Sequence, residues 1–130
     1  MSVTQLDGTA VAARFLDALQ RRDFEDIGSC FHTDARLRAL VPSRLREEEG
    51  VDAIVERFKA WVGSLEGYEV ADAGAEEFAD LVRIRYSVRG TDPEVGYPTI
   101  FEQTAYAAAS DGAFTEMRLV CSGDRPLPPA

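Results

Sequence analysis

Several residues in this chain have a type and spacing that could do chemistry. Glu102 and Gln103 sit side by side within the apolar run Tyr97 to Ala109. Adjacent side chains of an extended segment point to opposite faces, so one of the two must face inward, and the sequence leaves open which. An inward Glu102 would have its carboxyl pKa raised by desolvation and could act as a base. An inward Gln103 could orient a ligand carbonyl, or satisfy backbone and tyrosine partners instead. Tyr86 lies on the apolar face of an alternating run, where it could donate a hydrogen bond or pack with its hydroxyl at an edge. Glu102, Gln103 and Tyr86 are therefore the catalytic candidates. Arg38 could bind a carboxylate ligand, but the run Glu47 to Glu49 offers it a nearer partner. His32, the single histidine, reads as the last residue of a short helix, facing water or capping it.

Other chemistries find no support. Cys30 and Cys121 lie in apolar patterns without CxxC spacing and read as reduced core thiols. There is no Ser/His/Asp triad, phosphate-binding glycine loop or metal-ligand cluster, so no metal and no cofactor is expected.

The elements that must position these residues can be read from periodicity. Val51, Ile54, Val55, Phe58, Trp61, Val62 and Leu65 recur at steps of three and four, the stripe of a long amphipathic helix ending near Gly63. Residues 1 to 8 read as a lead-in in which Thr4 or Asp7 could cap a helix over Thr9 to Arg21, whose buried stripe is Val11, Phe15, Ala18 and Leu19. Asp23 is a second N-cap, opening a short helix that buries Phe24, Ile27, Cys30 and Phe31. His32-Thr33-Asp34 reads as a turn before a strand over Ala35 to Val41 that Pro42 ends. Ser43 to Gly50 reads as a charged connection, its glutamates placed before the long helix. Strands are expected over Tyr68 to Ala73, Phe78 to Arg89, Tyr97 to Ala109 and Ala113 to Ser122, with turns at 90–96 and Asp111-Gly112. Arg83, Arg85, Glu116 and Arg118 alternate onto the outer face, and the tail RPLPPA is expected to join neither sheet nor helix.

With 130 residues the chain has room for one core, giving a single domain over 1–125 and a proline-rich tail over 126–130. Its formal charge of −9 argues against nucleic acid and anionic membranes as partners, since both call for basic patches. The stretch VAARFLDAL is broken by Arg14 and Asp17, so no signal peptide is read, no apolar run approaches a membrane span, and a cytoplasmic location is expected.

The order helix, short helix, strand, long helix and strand meander is α+β. With FxDAL on the first helix, Phe31 then Asp34-Ala35 before the first strand, GxxAIxxxF on the long helix and Asp111-Gly112 before the last strand, it resembles the nuclear transport factor 2-like superfamily, and within it the SnoaL-like group. The resemblance covers residues 9 to 124. It implies a cone-shaped, cystatin-like architecture, a curved mixed or antiparallel sheet wrapped around the long helix and the N-terminal helix pair. It also implies an apolar pocket between sheet and helices and a homodimer through the outer sheet face. Carried over residue by residue, the isomerases' general-base aspartate falls on Ala39, their tyrosine on Phe15 and their second aspartate near Thr104 or Ala105. The cyclases' aspartate falls at about Leu119, and the dehydratases' aspartate near Gln20. None of these side chains can replace the group that the resemblance places there.

The expected ligand pocket comprises Phe15, Leu19, Leu37, Ala39, Phe58, Trp61, Tyr86, Gln103 and Met117. Such a lining suits a small hydrophobic molecule bound without the family's acid–base set. The alternative is an isomerase, cyclase or dehydratase acting on a hydrophobic polyketide-like or carbonyl substrate by general acid–base catalysis.

Overall fold

The computed structural model describes the backbone of residues 3–128 and the side chains of residues 8–128. Three helices, α1 (Val3–Arg21), α2 (Phe24–Ser29) and α3 (Val51–Val62), lie against one seven-stranded sheet. Its strands are β1 (Phe31–Val41), β2 (Arg44–Glu49), β3 (Glu66–Phe78), β4 (Leu81–Thr91), β5 (Pro98–Ser110), β6 (Ala113–Cys121) and β7 (Arg125–Pro126). The order is β2-β1-β6-β5-β4-β3, with β7 paired to β5. All pairings are antiparallel except β1 with β6, so the sheet is mixed. The fold is the expected α+β cone.

The helical stripes are where the periodicity puts them. Val11, Ala12, Phe15, Ala18 and Leu19 of α1 are buried, as are Ile54, Phe58 and Val62 of α3. Asp23 caps α2 by accepting the Asp26 N–H at 3.0 Å. Gly63 follows the last residue of α3. Asp111 and Gly112, both at positive φ, make the tight β5–β6 turn.

Several boundaries differ from the sequence expectation, each for a reason of pairing. α1 begins at Val3, so residues 3–8 are helical rather than a lead-in. Thr4 and Asp7 both lie inside that helix, and their side chains fall outside the described residues. β1 begins at Phe31, so His32-Thr33-Asp34 is strand, made irregular by a register shift against β6 between Phe31 and Arg36. His32 therefore caps no helix, and its ring Nε2 lies 2.6 Å from the Ser110 carbonyl.

The charged connection is also a strand. β2 pairs with β1 from Arg36↔Glu49 to Val41↔Arg44. Its glutamates meet arginines rather than a helix end: Arg38–Glu47 at 3.2 Å, Arg36–Glu49 at 3.8 Å and the half-buried Arg57–Glu48 at 2.9 Å, which ties α3 to β2. β3 runs on to Phe78 and pairs throughout with β4, which starts only at Leu81. The tail rejoins the sheet, with Arg125 and Pro126 opposite Ile100 and Thr99 and the Leu127 N–H donating to the Pro98 carbonyl at 3.1 Å.

The interior is filled by rings. Phe15 makes edge or tilted contacts with Phe31, Phe58, Tyr86 and Phe114, centroids 5.5 to 6.2 Å apart. Because one side chain joins α1 to α3, β1, β4 and β6, truncating it should open a void that no single neighbour can fill. Phe15→Ala is expected to lower stability by about 3–5 kcal/mol, read as a shift of the urea unfolding midpoint at constant slope.

Candidate functional site

Register rows on the inner sheet face set out the site. One row runs Arg46, Ala39, Leu119, Ala105, Ile84. Cys121, Gln103 and Tyr86 form another, and Phe101 stands opposite Val88 one step further along. Phe58 of α3 and Phe15 of α1 are buried in the core against this face, their rings in edge contact 5.5 Å apart.

Space opens where α3 stops. A cavity of about 450 Å³ lies beyond its end, between Trp61 and Leu65, the β1 end at Val41-Pro42, and Phe101 and Cys121 on the sheet. Asp92, Val95 and Tyr97 of the β4–β5 hairpin close one side, and Arg46 of β2 with Asp124 of the C-terminal segment complete the wall. The C-terminal segment is held close at Gly123, where φ is +79° and a Cβ would stand 2.5 Å from the Pro42 ring.

Charge in the cavity is confined to its rim. The Asp124 carboxyl is raised above its ordinary value, first by burial and then by the neighbouring Asp92. Asp92 Oδ1 accepts the Glu94 N–H at 2.9 Å, which fixes the hairpin. The Arg46 guanidinium makes no hydrogen bond or ion pair among the described residues.

Behind the wall lies a polar pair. Tyr86 and Gln103, 3% and 2% exposed, face each other across β4 and β5, and the Tyr86 hydroxyl donates to Gln103 Oε1. Burial pushes the phenol pKa well up, so it stays a donor. Gln103 Nε2 is the buried side-chain polar atom left without a partner among the described residues. Tyr68, whose hydroxyl donates to the Leu19 carbonyl at 2.6 Å, is pushed up to about 12 by burial, with the neighbouring Arg22 opposing.

The alternation left open in the sequence is thus resolved: Gln103 faces in and Glu102 faces solvent. Glu102 does not converge with Tyr86 and Gln103. Of the nine expected pocket residues, Trp61 lines the cavity and Tyr86 and Gln103 stand behind it. Phe15, Leu19, Leu37, Ala39, Phe58 and Met117 are packed in the core. Arg38 pairs with Glu47 on the outer face. Cys30 is buried and Cys121 is half-buried on the cavity wall, both as free thiols. Arg46, Phe101, Asp92 and Asp124 were missed. Arg46 was legible only with β2 recognised as a strand, since its partner Ala39 already faces inward.

Interior and rim together can bind an apolar body and offer donors, and among the described residues no carboxylate or imidazole is fully buried. Among the described residues no group of three or more His, Cys, Asp or Glu side chains could hold a metal ion, and no helix is long and apolar enough to cross a membrane.

The profile of the SnoaL-like domain matches residues 12–121. No curated protein sequence matches the chain. Among solved structures, a candidate isomerase from Bacillus subtilis superposes with a TM-score of 0.77 at 15% identity, covering 92% of this chain and 88% of that one. A candidate SnoaL-like polyketide cyclase from Jannaschia sp. CCS1 gives 0.73 at 14% identity, covering 93% and 89%. An LEH-like epoxide hydrolase from M. tuberculosis gives 0.67 at 17% identity, covering 90% and 84%. At these identities the likeness is one of fold.

The buried phenol of Tyr86 and the half-buried one of Tyr68 make stability depend on alkaline pH. A raised folded-state pKa means that stability is complete below the unfolded value, about 10. It is lost as pH rises towards the folded value, about 12 for Tyr68 and higher than ordinary for Tyr86. Between pH 10 and 11.5 the unfolding free energy should fall as pH rises, by at most about 1.4 kcal/mol per pH unit for the buried Tyr86 and by less for the part-exposed Tyr68, whose share solvent screening reduces, and Tyr86→Phe should remove the larger part, measured by urea unfolding across that range.

Proposed function

The chain belongs to the SnoaL-like domain family, and from that premise we propose that it binds a small hydrophobic molecule in the cavity beyond α3, without acid–base chemistry in its interior. The observation that carries this reading is the cavity itself. Its volume of about 450 Å³ suits a small ligand, and Trp61, Leu65 and Phe101 give it apolar walls. Among the described residues the buried polar side chains are Ser87, Thr99 and Gln103, and the buried ionisable ones, Tyr86 and Cys30, are held neutral by burial.

Trp61 is the single tryptophan, so its fluorescence reports on this cavity alone. Titration with the neutral dye N-phenyl-1-naphthylamine should quench Trp61 and sensitise the dye in a saturable way. The same dye should slow alkylation of Cys121, read by peptide mass, while buried Cys30 stays unreactive throughout. Absence of saturation together with unprotected Cys121 would remove the binding reading.

A second reading is an enzyme of isomerase, cyclase or dehydratase type acting on a hydrophobic carbonyl or polyketide-like substrate. The observation favouring it is Asp124, whose raised carboxyl beside Asp92 could exchange a proton at the cavity rim. On this reading the protein accelerates deuterium exchange at the α-carbon of 1-tetralone, and Asp124→Asn abolishes the acceleration. Proton NMR in D2O checks it, and exchange at the uncatalysed rate counts against it.

The same proposal includes a homodimer through the outer sheet face. Leu40, Leu45 and Val120, each about half exposed, adjoin one another across β2, β1 and β6. The pairs Arg38–Glu47 and Arg118–Glu116 flank them. Val120→Arg should halve the mass found by light scattering, whereas a wild-type mass of one chain would dismiss the dimer.

A further inference from the structure

Gln103 Nε2 is the one buried side-chain nitrogen or oxygen in the described interior without a hydrogen-bond partner. Leaving such a donor buried costs stability, so a position that keeps it calls for a partner from outside the chain. Exchanging the amide's two ends does not remove the problem. Nε2 would then donate to the Tyr86 oxygen, while Oε1 and the Tyr86 hydroxyl proton would both lose their partners. The arrangement with Tyr86 donating to Oε1 leaves the fewest groups unmet, and what it leaves is the N–H pair.

Direction follows from the strand order. Tyr86 lies on β4, to one side of β5, and holds Oε1 on that side. Nε2 diverges from Oε1 and so points away from Tyr86, and on the opposite flank β6 places Cys121 directly across from Gln103. Cys121 and Phe101, the neighbours of Gln103 on the same sheet face, both line the cavity. Gln103 therefore stands one side chain behind the cavity wall.

We propose that Gln103 Nε2 forms a deep polar subsite that receives a neutral hydrogen-bond acceptor, such as a ketone, ester or lactone oxygen, at the leading end of an apolar ligand that slides in past Cys121 and Phe101. Tyr86 is the positioning residue, holding the amide so that it presents donors and not its oxygen. The subsite selects acceptors against hydrocarbons of the same shape. This rests on the cavity being a ligand site, and it adds the class of ligand.

Cyclohexyl phenyl ketone and benzylcyclohexane, alike in shape and differing in one oxygen, test it by Trp61 fluorescence. A plain apolar cavity prefers the hydrocarbon, because the ketone must leave water's hydrogen bonds behind. Here the ketone should bind about tenfold tighter or more, with its carbonyl stretch shifted to lower frequency than in cyclohexane. Gln103→Leu should reverse the preference and restore the free frequency. Tyr86→Phe should keep ketone binding but broaden the carbonyl band, as the amide loses its fixed orientation.

The infrared measurement on the wild-type protein needs no variant, so a substitution that fails to fold does not leave the matter open. Equal binding of both probes, or a ketone whose band is unshifted, overturns the subsite while leaving the binding site in place; an ordered water holding Nε2 would give that result. If neither probe binds, the hydrophobic site and its subsite fall together.

Discussion

Phe15 meets four other rings, drawn from β1, α3, β4 and β6. No other constraint reaches so many elements at once. A ring offers a large apolar area and a small number of rotamers, so five rings in edge contact settle the distance between helices and sheet. That packing also decides what the cone can hold. Phe15, Phe58 and Tyr86 meet at its centre, and the cavity lies beyond the end of α3.

The cavity lies at one end of the sheet, and helix and strand geometry explains why. The 12 residues of α3 span about 18 Å, whereas the 13 residues of β5 reach about 43 Å when fully extended. A helix of that length cannot cover the sheet, and the cavity beyond it is walled by Trp61, Leu65, the β4–β5 hairpin, Arg46 and the C-terminal segment. The cavity is the geometric remainder of this mismatch. Its rim carries the charges because carboxylates and guanidinium retain water there, while one step inward only the neutral Tyr86–Gln103 pair is tolerated.

The sheet's two faces divide the work. Ion pairs such as Arg38–Glu47, Arg83–Glu76 and Arg118–Glu116 lie on the outer face, largely exposed, and each contributes little to stability. What they do is leave the apolar group Leu40, Leu45 and Val120 as the distinctive feature of that surface. The half-buried Arg57–Glu48 pair is different, since it crosses from α3 to the edge strand and fixes the helix beside the cavity's β2 wall.

Periodicity was enough to read α1, α3, the Asp23 cap, the turn at Asp111-Gly112 and the two faces of β1, because each of these signals lies within a few residues of chain. The α+β order and the absence of a buried acid at Ala39, Phe15 or Leu119 follow from residue types alone. β2 was not legible: an edge strand needs no apolar face, and RLREEE reads equally well as a charged loop until β1 lies beside it. The β7 pairing was hidden for a similar reason, since two residues carry no pattern and only the approach of Thr99 and Ile100 gives them partners.

The site divides along the same line. Sequence determined that one of Glu102 and Gln103 must face inward, since successive strand residues point to opposite faces. Tertiary structure alone decided that it is Gln103, because both alternations of that strand are apolar and only the stacking of β5 between β4 and β6 chooses between them. It alone decided where the cavity lies and that Arg46, Asp92, Phe101 and Asp124 share it. Those residues are far apart in the chain, and their meeting depends on where a short helix ends over a long, curved sheet.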